Sequence, residues 1–119
     1  MRFMMMVRSA ESQGPPPQEL MVAMGKHVQE AIQSGKMVAA GGLAPTGSSK
    51  RVRLERGEIT VTDGPFAESK EVVGGFAIME FESQEKAVES ALGFIELHRK
   101  YWPGWEGASE IRQVFGPED

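Results

Sequence analysis

The chain contains no cysteine. That excludes disulfides, thiolate nucleophiles and cysteine-containing zinc sites, and it fits a reducing, cytoplasmic setting. Long apolar runs are missing too. No stretch reaches the ~20 residues of a membrane span, and the opening "MRFMMMV" is too short for the core of a signal peptide. A basic excess is also absent. The net charge is −4, and the cluster Lys50, Arg51, Arg53 and Arg56 is interrupted by Glu55 and Glu58, so the footprint of a nucleic-acid binder is not there. Nor does the chain carry a P-loop, a G-x-G-x-x-G, an H-E-x-x-H or a G-x-S-x-G. The two histidines, His27 and His98, have no metal-ligand spacing, so no cofactor is expected.

What is present is an ordinary globular composition, 40% hydrophobic and 25% charged, in 119 residues, which predicts one domain over 1–119 with a single core. "RFMMMVR" at 2–8 is apolar on both alternating faces and reads as a strand covered on two sides. After the stiff loop "SAESQGPPP", Leu20, Met24, Val28, Ala31 and Ile32 recur at helical spacing over 18–34, with Gly35 as the stop. A strand follows in "KMVAAGGLAP". "KRVRLE" and "EITVT" alternate around Arg56-Gly57, which predicts a two-residue hairpin with one wet face. "GGFAIMEFE" at 74–82 is again apolar on both faces. Ser83 is positioned to cap a helix over about 84–100, and "SEIRQVF" closes the chain as a strand.

The order β-α-β, hairpin, β-α-β is the ferredoxin-like split βαβ plan: an α+β fold with an antiparallel sheet, two helices on one face and a β-hairpin insertion. Helices on one face leave the other face of the two-sided strands bare. A second copy of the chain is the expected cover, through "FMMMV" and "FAIMEF", because two-fold dimers are the commonest oligomers.

The candidate chemistry lies in "DGPFAESKE". Gly64 permits backbone angles closed to other residues and Pro65 fixes the next one, so Asp63 sits at a rigid corner. Its carboxylate either caps the backbone of its own turn or faces a pocket as acid, base or ligand anchor. Glu68, Lys70 and Glu71 follow within four residues, and solvated pairing among them is the bland reading. His27 and His98 fall on the apolar stripes of their helices. A buried ring there needs a partner, either a backbone carbonyl or a carboxylate such as Asp63.

The pieces "RFMMMV", "AAGGLAP", "VTDGPFAESKE", "GGFAIMEF" and "EIRQVF", in this order along nearly the whole chain, resemble the YCII-related family, specifically the branch named for its D-G-P-F motif. The resemblance implies a dimeric α/β barrel in which two ferredoxin-like subunits pack sheet against sheet. Relatives in that superfamily include small isomerases, monooxygenases and heme enzymes, so the fold decides little about chemistry. For the wider family a His–Asp pair in a cleft is implied, and Asp63 matches the aspartate of the motif. Some members of the branch stand beside sigma factors of the extracytoplasmic type. Two expectations follow. In one, a homodimer performs cofactor-independent acid–base chemistry on a small molecule, with Asp63 and His27 moving the proton, Phe66 forming a wall, and Lys70 or Arg51 holding an anionic group. In the other, the chain is a non-catalytic ligand-binding or regulatory module, with a sigma factor as candidate partner, and the D-G-P-F corner is architecture.

Overall fold

The computed structural model describes residues 1–66 and 68–117. Eight elements carry the fold: β1 (Arg2–Ser9), α1 (Gln18–Gln33), β2 (Met37–Gly42), β3 (Lys50–Glu55), β4 (Glu58–Asp63), β5 (Val72–Glu80), α2 (Gln84–Tyr101) and β6 (Gly107–Gln113). Short 3-10 turns at Glu11–Gln13 and Thr46–Ser48 interrupt the loops. β2, β5, β1 and β6 form one sheet in that spatial order, every neighbouring pair antiparallel. This is the expected ferredoxin-like arrangement, with β3 and β4 inserted between its second and third strands.

Local chemistry fixes the helix ends. Ser83 accepts the Lys86 N–H on its side chain and starts α2. α1 begins without a side-chain cap, straight after Pro17. It ends in a Schellman motif: Gly35 takes φ 76°, its N–H donates to the Ile32 carbonyl, and the Lys36 N–H donates to Ala31.

The helices cover one face of the sheet. Phe3 opposite Met79 and Met5 opposite Ala77 supply the floor, and the small residues Ala31, Ala87 and Ala91 let the helices approach it closely. Phe3 and Leu20 are the largest fully buried side chains. Burying a side chain of this size stabilises by roughly 1.5–3 kcal/mol. The buried part of α1 is narrower than its apolar stripe. Leu20 and Ala31 are buried, His27 is half-buried, and Ile32 remains 52% exposed. α1 packs along the edge strand β2, so its outer flank has nothing to rest on.

The opposite face carries Met4 beside Ile78 and Met6 beside Phe76. All four are half-buried. Phe76 lies over Gly41, where a Cβ would come within 3.1 Å of its ring.

β3 and β4 pair only with each other. Arg56 (φ 53°) and Gly57 (φ 79°) make the tight turn, consistent with the positive angles a two-residue type I′ turn requires. The register sets Val52 against Val61 and Leu54 against Ile59 on one face, and Arg51 against Thr62 and Arg53 against Thr60 on the other. The hairpin projects as an arm. The radius of gyration is 16.0 Å, whereas about 13.5 Å is expected for a compact chain of this length. The accessible surface is 8428 Å², against roughly 6,300 Å² for a compact monomer of this mass. No helix among the described residues is long and apolar enough to cross a membrane.

Candidate functional site at the base of the arm

The corner that returns β4 to the sheet is built around a glycine. The Gly64 N–H donates to the Ser49 carbonyl at 2.8 Å, and a Cβ at Gly64 would sit 1.6 Å from the Thr46 carbonyl oxygen. Only glycine allows two backbones to approach this closely. The expected reason was a left-handed backbone angle, but Gly64 is not among the residues with positive φ; close approach is the cause.

Thr46 is the hub of the loop that Gly64 meets. Its N–H donates to Glu11 Oε2 at 2.7 Å, and its hydroxyl donates to Glu11 Oε1. The same hydroxyl oxygen accepts the Phe66 N–H at 3.3 Å. These bonds, the hydroxyl's first and then the backbone N–H, hold the Glu11 carboxyl below its ordinary range. Phe66 then meets Arg51, whose guanidinium lies 3.8 Å from the ring centroid, a cation–π stack, and donates through Nη1 to Glu68. That hydrogen bond is the main reason the Glu68 carboxyl is also lowered.

Between this corner and the end of β1 lies a recess of about 440 Å³. Arg51, Phe66, Thr46 and Ser69 line it, with Val72 and Val73 as an apolar floor and Arg8 entering from β1. Arg8 faces Glu71 at 3.9 Å and Glu110 at 3.7 Å, which are ion-pair separations beyond hydrogen-bond reach. The recess thus offers two guanidinium groups, the Glu71 carboxylate, several hydroxyls and one aromatic face. Such a set can hold an anionic group and pack the organic part of a molecule beside it.

Of the residues singled out in the sequence, Arg51 and Phe66 meet here. Asp63 does not. Its carboxylate pairs with Lys50 Nζ at 2.6 Å, and its side chain is 74% exposed. Register explains the placement: Asp63 lies two residues from Val61 and opposite Lys50, on the apolar face of the arm, while Arg51 occupies the other face. Lys70 is exposed and does not line the recess. His27 borders a separate trough of about 970 Å³, with Glu30, Lys86 and Glu89 around it, and its ring stacks 5.6 Å from Phe94. Within the chain, therefore, His27 and Asp63 are not brought together. His98 is the buried histidine, 4% exposed, and its Nδ1 contacts the Phe94 carbonyl at 3.0 Å. It is held as a core residue, with Phe94 and Trp105 on either side. Among the described residues no cluster of three His, Cys, Asp or Glu side chains is placed to hold a metal.

Sequence reading missed Arg8, Thr46 and Glu11. Arg8 was within reach, since alternation puts it on the open face with Met4 and Met6. Thr46 and Glu11 are joined across 35 positions by a loop-to-loop contact that no periodicity announces.

An uncharacterised protein of Rhizobium meliloti is 37% identical over 60 residues, which are 50% of this chain and 48% of that protein. The chain thus spans about half the length of the curated relative it matches. The family model for the YCII-related domain matches residues 1–94, which hold five of the six strands, α1 and the first part of α2. The chain belongs to the YCII-related domain family.

Proposed function

We propose that this chain is a ligand-binding module of the D-G-P-F branch, working as a homodimer, whose ligand is a small organic molecule bearing a carboxylate or phosphate. The observation that carries the reading is the convergence of Arg8, Arg51 and the Phe66 ring on one recess. Arg8 lies between Glu71 and Glu110 at separations too long for hydrogen bonds, so an oxyanion would compete with these two carboxylates for its N–H donors. Arg51 is pre-oriented by Glu68 and by Phe66, which lowers the ordering cost of binding. The acid–base alternative has less support, because His27 and Asp63 border different surfaces of the chain. The dimer is proposed to form through the open sheet face of Met4, Met6, Phe76 and Ile78, which has no helix over it.

The test is an amide NMR titration of the uniformly labelled protein with acetate, succinate and inorganic phosphate. Saturable shifts at Thr46, Arg51, Phe66 and Ser69, abolished by Arg8→Gln, are expected. Shifts centred on His27, or none that saturate, would sink the reading. For the dimer, sedimentation velocity should give twice the chain mass, and Ile78→Glu should reduce it to one.

A further inference from the structure

The arm has a face that nothing among the described residues covers. Val52, Leu54, Ile59 and Val61 form two aliphatic pairs, and each is between 65% and 71% exposed. A two-stranded hairpin is at best marginally stable alone in water, and contiguous apolar patches on soluble chains mark contact surfaces. At its base the Lys50–Asp63 pair and the Gly64–Ser49 hydrogen bond continue the ladder between the two strands, and Arg51 pairs with Glu68 in the loop that follows β4. The hairpin is thus closed along its whole length and presents its apolar face outward.

We infer that the apolar face of the arm is covered by a second copy of this chain, each copy giving one arm and receiving one. Area is the first argument. The accessible surface of 8428 Å² exceeds the compact expectation by roughly 2,100 Å², and an obligate homodimer takes about 1,000–2,500 Å² from each copy. Charge is the second. Residues 50–63 carry four cations and three anions, while the rest of the chain carries nine cations and fourteen anions, so a slightly basic arm would meet an acidic body. A membrane fits less well. The arm holds no aromatic residue, and the acidic body would be repelled by anionic lipid. The inference shares with the reading above only the second copy; it does not need the sheet-face contact.

Leu54→Lys/Ile59→Glu tests it. These positions are cross-strand partners, so the substitution replaces an aliphatic pair with an ion pair and keeps the hairpin. Sedimentation velocity over a concentration series should show the dimer dissociation constant raised by about 100-fold or more, with the near-ultraviolet circular dichroism of Trp102 and Trp105 unchanged. In the wild type, amide exchange over residues 50–63 should slow as concentration rises. A variant that dimerises like the wild type overturns the inference, as do arm amides that exchange at one rate at every concentration or that are protected only by phosphatidylglycerol vesicles. Ile78→Glu separates the two contacts. If it dissociates the dimer while the arm variant does not, the arm inference alone fails. If the arm variant dissociates it and Ile78→Glu does not, the sheet-face reading fails and the arm stands.

Discussion

The body and the arm of this molecule are written in the same alternating pattern and end in opposite environments. Phe3 and Met5 on β1 alternate with Met4 and Met6, as Val52 and Leu54 on β3 alternate with Arg51 and Arg53. Yet Phe3 is 1% exposed and Leu54 is 69% exposed. Alternation determines which side chains share a face; what lies over that face is decided by topology. In the body two helices return across the sheet, whereas the arm doubles back on itself and brings no third layer.

The strongest way to probe this contrast is in the body. Phe3→Ala should cost about 3–5 kcal/mol in urea denaturation, since the site is fully buried and cannot collapse easily. Next comes the joint between the two regions. Gly64→Ala should cost about 2–4 kcal/mol, because the new methyl group would meet the Thr46 carbonyl and force one backbone to move. Chemical shifts in the arm should move with it, while the β1–β5 register is kept. Thr46→Val removes the hydroxyl that serves both Glu11 and Phe66, and a loss of about 1 kcal/mol in the same assay is expected. Asp63→Asn should change stability by less than about 0.5 kcal/mol, its ion pair being exposed, and should leave carboxylate binding intact. A large loss of binding in that variant would return Asp63 to the site.

The smallest effect is the pH response of the joint. Glu11 and Glu68 both have folded pKa values below their ordinary value. A depressed carboxyl contributes stability above the unfolded pKa and loses it as pH falls through the folded one. Acidification below pH 4.5, the ordinary value, should therefore loosen the corner. Amide exchange at Thr46 and Phe66 should accelerate before that at Met5 or Met79.

Much of this was legible in the chain. Gly35, Ser83 and Arg56-Gly57 each announce a backbone event by local chemistry, and each occurs where that chemistry requires it. Arg51 and Phe66 stand out in the sequence as an anion-holding group and a pocket wall, and they meet in a cation–π contact at the recess. Asp63 lies apart from Arg51 for a physical reason. The D-G-P-F run specifies stiffness but says nothing about which face of β4 the carboxylate occupies; counting in twos from Val61 would have placed it away from Arg51. The placement of His27 has a different cause. Its helical position is as expected, but it turns toward α2, where its ring meets Phe94 and borders the trough between the two helices.

The Leu43 N–H donates to the Gly74 carbonyl, directly after the pairing of Gly42 with Gly75. The chain thus leaves β2 and re-enters the sheet at nearby points, and residues 44–71 are an excursion that the pairing of β2 with β5 does not need for its register. Such an excursion behaves as a detachable module. A gene that shortened it to a brief connection between Leu43 and Val72 would still encode β2 and β5 as neighbours, and one that lengthened it would disturb neither the core nor the helices. Descent within the family can therefore alter the recess and the arm together, as one inherited cassette, while the scaffold that carries them stays as it was.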